Sequence, residues 1–138
     1  MTKLQNVIVD TNVWSEAFRK KGLLYSDEVR ELRQLIEEGR VAMLGLIRME
    51  ILCGIRSEQA FELFQGHLTS FPDENMTEEV YELAAQFYNT CRSKGVQGSN
   101  TDFIICACAY LWRLPILTKD LDFERFADHL PIRLHDCR

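Results

Sequence analysis

The sequence predicts an α/β protein built on a parallel sheet, and three observations carry that reading. Short apolar runs at Val7-Ile8-Val9, Val41 to Leu46 and Pro115 to Thr118 alternate with longer segments of helical periodicity. The first run is three β-branched residues in succession, which suits a strand buried on both faces. Each run is followed closely by an acidic residue: Asp10, Glu50 and Asp120. Ligands of open α/β sheets bind at the carboxyl ends of the strands, so these acids stand where chemistry is expected.

Taken in order, a strand over about Leu4 to Val9 leads through Asp10-Thr11-Asn12, a run with N-cap character, into a helix from Val13 to about Lys20 that Gly22 stops. Ser26 caps a second helix, with Asp27 and Glu28 in its first turn and Val29, Leu32, Leu35 and Ile36 on one face. Gly39 ends it. The second strand, Val41 to Leu46, runs into a third helix over Ile47 to Ile55. Ser57 to Leu68 is a further helix, and Phe71-Pro72-Asp73 a break with a short strand just before it.

The longest helix starts at Thr77, where Val80, Leu83, Ala84, Phe87, Tyr88 and Cys91 follow the i, i+3, i+4, i+7 rule. After the Gly95 to Thr101 loop, Asp102 to about Trp112 is apolar almost all round and should be deeply buried. A strand at Pro115 to Thr118, a short helix near Phe126 and a strand at Ile132 to Leu134 complete the chain.

A length of 138 residues fits one domain spanning 1–138. Hydrophobic content of 46% and charged content of 27% are ordinary for a soluble globular protein. No apolar run approaches the roughly 20 residues that span a bilayer, and the polar start, Met1 to Asn6, does not read as a signal peptide. Five cysteines without a CxxC pair read as reduced thiols, mostly core filler, in a cytoplasmic protein. A net charge of −5 argues against general polyanion binding, though metal ions held by acidic residues would offset part of it locally. The basic clusters Arg19-Lys20-Lys21 and Arg92 with Lys94 read, each alone, as solvated helix ends.

Four acids stand out by context: Asp10 after strand one, Glu50 in the first turns after strand two, Asp102 opening the buried helix, and Asp120 after the third apolar run. Each has a plain structural reading: caps for Asp10 and Asp102, a first-turn residue favoured by the helix dipole for Glu50, and a turn former for Asp120, as for Asp122. Their joint placement is harder to dismiss, since three of them follow strands and belong to one sheet edge. Carboxylates gathered without a countercharge repel one another. Hard divalent cations such as Mg²⁺ or Mn²⁺, which prefer oxygen ligands and keep several waters, remove that conflict, and such a site suits phosphodiester hydrolysis. His67, His129 and His135 lie outside the acidic segments, and no Ser or Cys nucleophile motif is visible.

Four segments together resemble the PIN-domain family, and within it the VapC-type toxins of bacterial toxin–antitoxin pairs: Val9-Asp10-Thr11-Asn12-Val13-Trp14, Ile47 to Gly54, Asn100 to Ala107, and Leu117 to Phe123. The resemblance implies an α/β/α sandwich around a parallel sheet of about five strands, and a Mg²⁺- or Mn²⁺-dependent endoribonuclease acting on transfer or ribosomal RNA. Asp10, Glu50, Asp102 and Asp120 match the family's metal-binding quartet. Asn12 and Thr118 match the polar positions that support it, and Asp122 a frequent further acid. A homodimer is implied, with a VapB-type antitoxin laid across the acidic groove; Trp14, Phe18 and Tyr25 are candidates for the apolar surface such partners need, or for core.

Two other classes place an Asp after the first strand. Haloacid-dehalogenase-type phosphatases use a DxD pair, but the second position here is Asn12. Phospho-receiver modules pair acids after strand one, which the spacing Asp10/Glu50/Asp102/Asp120 does not reproduce.

Overall fold

The computed structural model describes residues 4–19 and 24–138. Its elements run β1 (Val7–Val9), α1 (Thr11–Arg19), α2 (Asp27–Glu37), β2 (Val41–Ala42), α3 (Gly45–Leu52), α4 (Glu58–Leu68), α5 (Glu78–Ser93), α6 (Asn100–Trp112), β3 (Ile116–Leu117) and α7 (Asp122–His129). The proposed helix stop at Gly22 and the cluster residues Lys20 and Lys21 lie outside the described residues. No helix among the described residues is long and apolar enough to cross a membrane.

The sheet has three parallel strands in the order β2-β1-β3. β1 is central and fully buried, as its β-branched run requires. It pairs Val7 with Val41 and Ile8 with Ala42 on one side, and Ile8 with Ile116 and Val9 with Leu117 on the other. Strand order therefore reverses at β1. α3 packs against α1, and Phe64 of α4 stacks on Phe18 of α1 with ring centroids 4.9 Å apart, while α5 packs chiefly against α6; the switch point lies at the carboxyl end of β1.

Among the described residues three strands, not five, form this sheet. Asp73 and Leu134 touch its edges at isolated bridges, to Met43 and Ile116. The edges are too short to carry more. β3 has two residues, so the final segment makes only the bonds around Ile116: Ile116 N to Arg133 O at 3.0 Å and His135 N to Ile116 O at 2.8 Å. On the far edge Pro72 has no N–H to donate, and one bond, Glu74 N to Met43 O at 2.9 Å, joins it. The expected strand Val41 to Leu46 shrinks to Val41–Ala42 because α3 starts at Gly45 rather than Ile47. A Cβ at Gly45 would stand 3.1 Å from the Asp73 carboxylate, so the tight turn suits glycine.

The helices bury the stripes their periodicity marks. Ser26 caps α2 by accepting from Val29 N at 3.2 Å, and Val29, Leu32 and Leu35 are buried, while Ile36 is exposed. Val80, Ala84, Phe87 and Cys91 of α5 meet α6, in which Phe103 and Ile105 to Ala109 are buried while Asn100 and Tyr110 are exposed. Phe103 and Phe126 continue this core toward α7, with ring centroids 5.1 Å apart. Trp14 belongs to the core, and Phe18 and Tyr25 pack against it. The thiols Cys91, Cys106 and Cys108 are free and buried, and burial raises all three, Cys108 to about 12. They fill space.

One charged group is buried within α2. Burial works to raise the Glu31 carboxyl, but hydrogen bonds from His135 (2.5 Å) and Arg138 (3.2 Å) prevail and hold it below its usual range. The segment after Leu134 is thereby fastened to α2.

The loop into α6 passes through Gly98, where a Cβ would stand 2.6 Å from the ring of Phe126 and 3.1 Å from that of Phe103, both buried. Gly98→Ala should lower the unfolding free energy by about 1–3 kcal/mol through overpacking. The check is the urea midpoint at constant m value; an unchanged midpoint would show that the rings yield without cost.

Candidate active site

The site starts where β1 ends. The N–H of Asp10 donates to Leu117 O at 2.9 Å, extending the β1–β3 ladder by one residue and setting the Asp10 carboxylate beside Thr118. The chain then enters α1 at once, with Val13 N bonded to Asp10 O at 3.1 Å. Asp10 is 7% exposed. Its Oδ1 accepts from Thr11 N at 2.8 Å; its Oδ2 accepts from the Thr118 hydroxyl at 2.8 Å and from Asn12 Nδ2 at 3.1 Å.

Thr118 is saturated. Its one hydrogen goes to Asp10, and its lone pairs accept from Asn12 Nδ2 at 3.2 Å and Asp120 N at 3.0 Å. Asn12 is fixed as firmly, because its Oδ1 accepts from Lys119 N at 3.0 Å; the reversed amide would set donor against donor. Asn12 and Thr118 thus frame Asp10, as the motif positions suggested. Asp120 joins the frame through its N–H, and its Oδ1 accepts from Asp122 N at 2.9 Å. Asp122 contributes its backbone to this contact, and its side chain is exposed.

Glu50 is half-buried on α3 and accepts at Oε1 from the Thr11 hydroxyl at 2.7 Å. Asp102 is the third residue of α6, not its cap: Ser99 caps the helix in a reciprocal box, with Asp102 N to Ser99 Oγ at 3.1 Å and Ser99 N to Asp102 Oδ2 at 3.0 Å. Thr11 and Ser99 are polar partners that the sequence reading missed. Both had a signal there, since Thr11 stands in the Asp-Thr-Asn run and Ser99-x-x-Asp102 has capping-box spacing.

Hydrogen bonds join Asp10, Asn12, Thr118 and Asp120 directly, and Thr11 links Glu50 to the backbone next to Asp10. Asp102 meets the others through space. Burial first raises the Asp10 carboxyl, the bonds from Thr118 and Thr11 oppose it, and the charges of Asp102 and Glu50 add to the rise. Asp102 is raised by burial, against its bonds to Ser99, with Asp120 and Glu50 adding repulsion. The charges of Asp102 and Glu50 thus act on Asp10, and those of Asp120 and Glu50 on Asp102.

The donors are all oxygen and anionic, the set that hard divalent cations prefer. Among the described residues, no three His, Cys, Asp or Glu side chains are gathered closely enough to hold an ion between them. A cavity of about 860 Å³, lined by Trp14, Phe18, Phe64, His67 and Phe71 among others, lies apart from the acids and includes none of them. His67 and His129 are exposed, and His135 is engaged with Glu31; none joins the acids.

Residues 7–129 match the PIN domain family. Ribonuclease VapC11 of Mycobacterium tuberculosis is 32% identical over 124 residues, covering 88% of this chain and 91% of that protein. Among solved structures, VapBC2 from Rickettsia felis bound to a DNA fragment from its promoter superposes with a TM-score of 0.76 at 16% identity, over 97% of this chain and 100% of the other. FitAcB from Neisseria gonorrhoeae gives 0.73 at 21%, over 94% and 96%. The chain belongs to the PIN-domain family. That membership sets aside the dehalogenase-type and receiver readings, and the commitment of Asn12 to Lys119 and Asp10 agrees with it.

The raised Asp102 carboxyl has a sign that can be tested. An acid whose folded pKa lies above its unfolded value costs nothing below the unfolded value, where both states are protonated. The cost grows as pH rises to the folded pKa and stays constant above it. Asp102→Asn keeps the acceptor for Ser99 N–H. In metal-free protein its stability relative to wild type should therefore increase as pH rises from about 4, the ordinary Asp range. Urea unfolding across pH measures this, and a difference that is flat with pH would contradict the shared-cleft electrostatics.

Proposed function

We propose that this protein is a metal-dependent endoribonuclease and the toxin half of a toxin–antitoxin pair. One observation supports the reading: a buried Asp10 at the topological switch point, framed by Asn12 and Thr118, on which the charges of Asp102 and Glu50 act, with Asp120 acting on Asp102 in turn. The PIN-domain match and the ribonuclease relative supply the substrate class. In this reading the four acids are the catalytic centre and hold Mg²⁺ or Mn²⁺, directly through one or two carboxylates and through water for the rest.

When bound, such a cation polarises a phosphoryl oxygen and lowers the pKa of a water to make a nucleophile. The chain's own residues do the placing. Thr118 and Asn12 hold both the position and the rotation of Asp10. Thr11 directs Glu50 toward the same edge, Ser99 anchors Asp102, and the N–H of Asp122 orients Asp120. Such supporting bonds are commonly worth about 10–100-fold in metal affinity or activity. The substrate is structured RNA of the transfer or ribosomal kind. The partners are a VapB-type antitoxin, whose basic side chains suit the carboxylates, and a second copy of the chain, in the cytoplasm.

The test is cleavage of total cellular RNA by purified, antitoxin-free protein with Mg²⁺ or Mn²⁺. Defined fragments should appear, vanish with EDTA, and form at least about 100-fold more slowly in Asp10→Asn and Asp102→Asn, the upper range for lost metal-site groups. Equal cleavage by wild type and both variants would remove the acids from the chemistry.

A further inference from the structure

Lys119 stands between Thr118 and Asp120, in the same loop as two residues of the acidic frame. Its backbone N–H already holds Asn12, so its position over α1 is set. A lysine ammonium on a flexible four-carbon stem next to repelling carboxylates has an obvious destination: the cleft, where it would neutralise them. Its ammonium is elsewhere. It pairs with Glu16 Oε1, while Glu16 Oε2 accepts from Ser26 N, at the cap of α2, at 2.9 Å. Glu16 lies four residues after Asn12 on α1, and so on the same helix face.

We propose that Glu16 is a positioning residue that parks Lys119, keeping the site's own lysine out of the carboxylate cleft and leaving that cleft open to a divalent cation. The inference rests on the metal-site reading above. Two further observations support it. The side chain of Glu16 is only 12% exposed against 38% for Lys119, so the acid is the fixed post and the lysine the mobile member. The hydrogen bond from Lys119, followed by that from Ser26 N–H, holds the Glu16 carboxyl down at about 2; it remains a carboxylate throughout the neutral range.

The role predicts a non-additive double-mutant cycle, read by isothermal titration of Mn²⁺ into the purified full chain without RNA. Glu16→Gln frees the ammonium to compete and should weaken Mn²⁺ binding by about tenfold, within the range for residues that support metal ligands. Lys119→Met should bind at least as tightly as wild type. The Glu16→Gln/Lys119→Met double variant should return to within about twofold of Lys119→Met, as full coupling requires. Glu16→Gln binding like wild type, or a double variant as weak as Glu16→Gln, overturns the parking role and leaves Glu16 as a plain tether to α2. A weakened Lys119→Met also overturns it, and this arm stands even if Glu16→Gln folds poorly. No heat from wild type, with Asp10→Asn equally silent, would sink the metal reading and this inference together, a blank series unlike either specific failure.

Discussion

The acidic site depends on one ladder contact, the hydrogen bond from Asp10 N–H to Leu117 O. It carries parallel pairing one residue past the end of β1, so that the side chains following β1 and β3 emerge side by side. From that single registration follow the Thr118 bond to Asp10, the Asn12 bonds to both, and the N–H of Asp120 on Thr118. The central strand is buried without exception, and the strand order reverses there, which is where an open α/β sheet places its ligand crevice.

The price of this arrangement is like charge in a poorly hydrated place. Burial and mutual repulsion raise both Asp10 and Asp102, and the structure answers with donors rather than with countercharge. The backbone N–H groups of Thr11, Ser99 and Asp122, two threonine hydroxyls and one amide approach the carboxylates. Neutral donors orient an acid without cancelling it, which leaves its charge for a cation. The nearest lysine of the loop is drawn off to Glu16. A site meant only for stability would more simply have closed that pair inward.

The brevity of the strands belongs to the same design. β2 and β3 are two residues each, and each stops where the chain must turn: at Leu44 into the helix bearing Glu50, and at Thr118 into the frame itself. Short strands leave little edge to pair, so the flanking segments add only bridges at Asp73 and Leu134. Stability comes instead from the helices, above all α5 against α6 and their aromatic continuation to α7, and from the fastening of the C-terminal segment to Glu31.

The sequence alone determined the alternation of strands and helices and the buried character of β1 and of the middle of α6, because hydrophobic period and local capping chemistry are properties of neighbouring residues; it singled out the four acids as candidates by their place after the strands. It also marked Asn12 and Thr118 through short motifs. What tertiary structure decided were the contacts between segments far apart in the chain. Thr11 serves Glu50 across 39 positions, and Glu16 meets Lys119 across 103. Neither pairing leaves a periodic trace, since each depends on where two loops finish in space. The sheet edges failed as expectations for the same reason. Ile132 to Leu134 is apolar enough for a strand, but a strand needs a partner of matching length, and only the folded sheet reveals that β3 is two residues long.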